Sequence, residues 1–110
     1  MGNDQKLIDT LLKHAKSSDE YLWQLPVIDT FKKEMKSKTA DLKNIAESRF
    51  AGSAKAAAFL ENFVTDGTPW AHFDIAGVAD SQKHLSYCPA HGGSGLMIRT
   101  MLSYLLDAKA

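Results

Sequence analysis

Within Pro69–Gly77, PWAHFDIAG, His72 and Asp74 stand two residues apart in an apolar run. On an extended chain that spacing puts both on one face, while Ala71, Phe73 and Ile75 take the other. An imidazole and a carboxylate on one face could exchange a proton as a general acid/base pair. Buried polar groups are costly unless paired, so the same two residues also read as a satisfied pair that fixes neighbouring backbone. The second reading is favoured. His84, Cys88 and His91 form H-x3-C-x2-H, three zinc-ligand types at short spacing. The pattern lacks a fourth ligand, although Asp80 could serve, and an ordinary polar loop is favoured over a metal site. Cys88 as a nucleophile is disfavoured, because Pro89 and the loop setting offer no helix N-terminus to lower the thiol pKa. HGGSG, His91–Gly95, could present backbone N–H groups to an anion. It lacks the lysine and spacing of a P-loop and reads as a loop leading into the last helix.

The elements that must hold these residues follow from periodicity. Asn3 and Asp4 can cap a helix in which Leu7, Ile8, Leu11, Leu12 and Ala15 recur at helical spacing, ending near Ser17-Ser18. Pro26 forbids a helix interior in YLWQLPV, Tyr21–Val27, which reads as extended. Asp29 or Thr30 opens a shorter helix through Phe31 and Met35. Its lysines, Lys32, Lys33, Lys36 and Lys38, interleave with Asp29, Glu34 and Asp41, which reads as a solvated face rather than an anion patch. ADLKNIA, Ala40–Ala46, is a strand or a loop. SAKAAAFLENFV, Ser53–Val64, is a strong helix whose alanines would let it lie close against a sheet. Trp70–Ile75 reads as a strand buried on both faces, and Asp80–Gly95 as a loop. The last helix, Leu96–Leu106, should bury Met97, Met101, Leu102 and Leu105. The fold class expected is α/β: a fragment of a mixed sheet flanked by about four helices, with two or three short strands. So few strands cannot easily supply the centre of a sheet. The 110 residues therefore read as a piece of something larger, or as a chain that assembles with copies of itself.

Composition narrows the function. A chain of 110 residues suits one domain, and 45% hydrophobic with 24% charged residues is a globular profile. Thirteen basic residues balance thirteen acidic ones, so no global charge draws the chain to nucleic acid or an anionic membrane. Its apolar runs are too short to span a bilayer. MGNDQKL holds no apolar signal core, and Lys6 stands where a myristoylation motif needs Ser or Thr. The single cysteine, Cys88, excludes an internal disulfide and fits a reducing, cytoplasmic setting.

The runs WQLPV, ADLKNI, AGSAKAAAFLENFV, PWAHFDIAG and GSGLMIRTMLSYLL resemble, in order and spacing, the C-terminal end of the leucyl aminopeptidase (cytosol aminopeptidase) family. The resemblance runs from about Asn3 to Leu106. It implies a parent enzyme that removes N-terminal residues from peptides, using two divalent metals, zinc or manganese. Their ligands are a lysine, three aspartates and a glutamate, with a second lysine and an arginine in support. The diagnostic run Asn-Thr-Asp-Ala-Glu-Gly-Arg is not in this sequence, and the resemblance places all of those residues upstream. Residues 1–110 then correspond to the C-terminal segment of the catalytic domain without its metal-ligand region. No catalytic residue and no cofactor is expected in this chain, which alone should be inactive. Three positions carry over as walls of the pocket for the substrate's first side chain: Ile45 in KNIA, Ala76 in DIAG, and Ala79. Ala46 replaces the family's usual glycine, and would be strained if that position needs a positive φ. The partners implied are the N-terminal part of the same enzyme, its peptide substrate and further copies of the chain. The alternative is a stand-alone, non-enzymatic assembly or binding module.

Overall fold

The computed structural model describes residues 1–108. Four helices follow one another: α1 (Gln5–Ser17), α2 (Asp29–Glu34), α3 (Gly52–Glu61) and α4 (Ile98–Asp107). The α1 helix begins where the sequence places its cap, since Asp4 Oδ1 accepts from the Leu7 backbone N–H at 2.6 Å. Ile8, Leu11, His14 and Ala15 are its buried residues, at the spacing of one helical face.

The expected mixed sheet is not there. Among the described residues, extended pairing is limited to three isolated antiparallel bridges: Gly2–Ala71, Lys36–Leu42 and Asp80–Gly93. The run Trp70–Ile75 has the apolar composition of a central strand, but a strand exists only through a neighbour that completes its ladder. Here the neighbour is Met1–Asn3. The Asn3 N–H donates to the Trp70 carbonyl at 3.1 Å, and the His72 N–H to the Met1 carbonyl at 2.8 Å. The approach is so close that a Cβ on Gly2 would lie 2.2 Å from the Trp70 carbonyl oxygen. The Ala40–Ala46 segment likewise contributes only the bridge at Leu42.

The chain divides into two compact units, Met1–Ile8 with Trp23–His72, and Asp9–Leu22 with the chain from Phe73 onward. In the first, α3 packs on α2. Ala54, Ala57 and Ala58 are buried, so the small-residue face serves a helix packing rather than a sheet. Two ion pairs join these helices: Lys32 Nζ to Glu61 Oε2 at 2.8 Å, and Lys55 Nζ to Glu34 Oε2 at 2.6 Å. Lys32 therefore belongs to a helix–helix contact as well as to a solvated face.

In the second unit, Asp19 takes a left-handed φ of 56°. The Glu20 N–H bonds back to the Ala15 carbonyl at 2.9 Å, which turns the chain away from α1. The Glu20 side chain then reaches the start of α4. Its Oε2 accepts from the Thr100 N–H at 2.9 Å and from the Thr100 hydroxyl at 2.7 Å. Glu20 and Thr100 are 1% and 0% exposed. No side chain of α4's own N-cap residue bonds its first turn, so a carboxylate distant in sequence fills that role. Beside it, the Arg99 guanidinium lies 3.5 Å from the centre of the Tyr87 ring. Leu102 and Leu105, expected in the core, are more than half exposed, as are Ile98 and Leu106; Met97 is buried.

Candidate functional site

Ile45 sits in the first unit, in a segment tied at both ends. At one end the Lys43 N–H donates to the Met35 carbonyl at 2.8 Å, next to the Lys36–Leu42 bridge. At the other, the Lys55 ammonium donates to the Ser48 carbonyl at 3.5 Å. Between them, Lys43 Nζ and Glu47 Oε1 pair at 2.9 Å, and this contact holds the Glu47 carboxyl below its ordinary pKa. Ile45 itself is 77% exposed. Ala46 is not among the residues with positive φ, which apart from glycine are Asp19, Ala51 and Met97 among the described residues. Alanine therefore replaces the family's glycine without backbone strain.

Ala76 and Ala79 sit in the second unit, on one turn. Asp74 Oδ1 accepts from the Ala76 N–H at 3.1 Å. The Val78 N–H donates to the Ile75 carbonyl at 3.0 Å. Both alanines are exposed. Ser94, the fourth residue of HGGSG and buried, pins this turn: its N–H donates to the Ala79 carbonyl at 2.8 Å and its hydroxyl to the Val78 carbonyl at 2.6 Å. The glycine-rich run is therefore a clasp on the Val78–Ala79 backbone.

The remaining sequence candidates find ordinary roles. With no strand at Trp70–Ile75, His72 and Asp74 do not share a strand face. His72 pairs its backbone with Met1 and stacks on Trp70, while the Asp74 carboxylate closes the turn at Ala76. Cys88 is a free thiol that donates to the Ser94 carbonyl at 3.5 Å. His84 and His91 are exposed on the Asp80–Gly93 loop. Among the described residues no three His, Cys, Asp or Glu side chains gather to hold a metal ion, so H-x3-C-x2-H does not assemble as a ligand set. The residues present do not fit a two-metal centre.

An open cleft of about 430 Å³ is lined by Lys13, His14, Ser17, Ser103, Leu106 and Asp107. His14, 7% exposed, has its Nδ1 2.8 Å from Ser103 Oγ and its Nε2 3.4 Å from Asp107 Oδ2. The order serine, imidazole, carboxylate is that of a hydrolytic triad. It stands, however, toward the C-terminus of α4, where helix carbonyls disfavour a developing oxyanion. The cluster reads as a polar contact between α1 and α4, with Tyr104 edge-on to the imidazole.

Comparison with known proteins shows what these helices and turns are similar to. The chain is 53% identical over 91 residues to the "Probable cytosol aminopeptidase" of Bdellovibrio bacteriovorus, covering 82% of this chain and 18% of that protein. To the protein of the same name in Geobacter sp. (strain M21) it is 49% identical over 105 residues, 96% of this chain and 21% of that one. The crystal structure of cytosol aminopeptidase from Coxiella burnetii superposes with a TM-score of 0.83 at 37% identity, over 96% of this chain and 22% of the other. Residues 1–102 match the model of the cytosol aminopeptidase family, catalytic domain, and the chain belongs to that family. It spans about a fifth of the length of the relatives it matches. The family's enzymes are metal-dependent aminopeptidases. Among the described residues no helix is long and apolar enough to cross a membrane.

Proposed function

We propose that this chain is the C-terminal part of an aminopeptidase catalytic domain, that it supplies walls of the pocket for the substrate's first side chain, and that it does not cleave peptides alone. The observation that carries this reading is the ratio of coverage: 96% of the chain superposes on 22% of the Coxiella burnetii enzyme. Ile45, Ala76 and Ala79 have the character such walls require. Ile45 offers apolar surface to a leucine-like side chain, and the two alanines leave it room. Burying that side chain expels water, at about 25 cal/mol per Å² of apolar surface. These residues would orient the peptide's N-terminal residue; the hydrolytic chemistry lies outside this chain. The cytoplasm is the setting the reading implies.

The test is an assay of leucine p-nitroanilide cleavage with zinc or manganese added. The purified chain should show no turnover, and co-expression with the remainder of a cytosol aminopeptidase should restore it. Turnover by the chain alone, free of contaminating peptidase, would refute the reading. A second reading, a stand-alone module that assembles with its own copies, is favoured by the exposed apolar stripe of α4, Ile98, Leu102, Leu105 and Leu106. Sedimentation equilibrium separates the two: a discrete oligomer, with no gain of activity on co-expression, would select the module.

A further inference from the structure

We propose that Lys55 is a positioning residue, anchoring the Ile45 segment and through it the selection of the substrate's first side chain; the second half of the inference rests on the pocket reading above. Lys55 is 4% exposed, in the middle of an alanine-rich helix. Lysine is almost never buried so deeply unless paired. Its partner is Glu34 at 2.6 Å, and the Phe31 ring lies 5.9 Å from the ammonium. An ammonium has three donors, and this one also reaches the Ser48 carbonyl at 3.5 Å.

That contact lies beyond what a helix–helix ion pair needs. It fixes the far end of a segment whose near end is already fixed by Lys43 and Leu42 on the chain just after α2. Residues 44–47 lie between the two contacts, and Ile45 among them stays mostly exposed. An apolar side chain held out on an anchored loop is a preorganised contact, for which the ordering entropy has been spent before the ligand arrives. Lys55 thus connects the interior of the first unit to the surface that the pocket reading assigns to the substrate.

Three variants separate anchoring from plain stability. Lys55→Met keeps the buried stem and removes both the ion pair and the contact with Ser48. Glu34→Gln removes the ion pair and leaves Lys55 its donors to Ser48. Lys55→Met/Glu34→Met replaces the pair by apolar side chains of similar volume, a change that cores often tolerate, and it also lacks the Ser48 contact. Hydrogen exchange on the chain should show amides 44–48 opening about 10-fold more in both Lys55 variants, with less than about 3-fold change in Glu34→Gln. In a complete cytosol aminopeptidase ending in this sequence, Lys55→Met should raise KM for a leucine amide about 5-fold with kcat unchanged, and leave KM for an alanine amide nearly as it was. Glu34→Gln should keep the wild-type ratio of the two KM values. Unchanged exchange in both Lys55 variants, or an equal rise in all three, overturns the anchoring. An exchange difference without a change in the KM ratio overturns the specificity role. Failure of the pocket reading shows separately, as a complete wild-type enzyme indifferent to Ile45→Ala, and the exchange experiment still decides whether Lys55 anchors the segment.

Discussion

Replacing Glu20 by alanine strands two buried donors at the start of α4. The Thr100 N–H and hydroxyl both bond Glu20 Oε2, at 2.9 and 2.7 Å, and Thr100 is fully buried. Hydrogen bonds to a charged group contribute about 1.5–3 kcal/mol each. Against this stands the desolvation of the carboxylate, several kcal/mol, which the variant recovers. The backbone N–H has no other route to water, and leaving it unpaired costs about 1–3 kcal/mol. The balance is a loss of about 2–4 kcal/mol, a large share of the roughly 5–15 kcal/mol of a typical domain. With a urea m-value of about 1–2 kcal/mol per M for a chain of this size, the midpoint should fall by about 1–4 M at constant m. Glu20→Gln keeps one acceptor oxygen for Thr100 and loses the charge facing Arg99, so it should lose about half as much. Thr100→Val removes only the hydroxyl, and its effect should shrink in the Glu20→Ala background because the two changes share one bond. A Glu20→Ala chain within about 0.5 kcal/mol of wild type would refute the claim that this carboxylate caps α4.

Gly2→Ala forces a Cβ to within 2.2 Å of the Trp70 carbonyl oxygen and should break the Gly2–Ala71 bridge; faster hydrogen exchange at the His72 amide would report it. Ser94→Ala removes the hydroxyl clasp on Val78, costing about 1 kcal/mol in denaturant titrations, while the Ser94 N–H bond to Ala79 persists. The Lys43–Glu47 contact has a pH signature. The folded pKa of Glu47 is depressed by its hydrogen bond to Lys43, so the contact is present at neutral pH and is lost as pH falls through that depressed value. NMR titration should show the Glu47 carboxyl titrating below a model-peptide glutamate, and Lys43→Met should return it to the ordinary range.

The helices were legible because their signals are local. Asp4 before an apolar 3-4 pattern and the alanines of α3 each specify a helix from within a few residues. Trp70–Ile75 shows where that stops. An apolar run states that a segment is suited to burial, whereas its hydrogen-bond partners come from elsewhere in the chain, and here Met1–Asn3 supplies them. Leu102 and Leu105, expected in the core, are exposed for the same reason: periodicity identifies an apolar face and says nothing of what covers it. Ile45, Ala76 and Ala79 entered through family resemblance alone, since no local property distinguishes them from other loop residues. Lys55 carries a readable signal. It lies three residues before Ala58, on the face the alanines bury, and a charge there calls for a partner. Ser94 and Glu20 had none, because each acts on backbone distant in sequence.

The cap on α4 also sets an order of events. Glu20 and Thr100 are 80 residues apart, so the helix start is completed only after the residues between them exist. At about 5–20 residues per second of synthesis, Glu20 is incorporated about 4–16 s before its partner. Closing a loop of this length adds an entropic cost that grows only slowly with length, but nothing local repays it until Thr100 arrives. During that interval α1 and the carboxylate beyond it have no α4 to dock on. The second unit is therefore a late-forming structure with a waiting period built into its connectivity, and chaperone contact during synthesis should concentrate on residues 9–22.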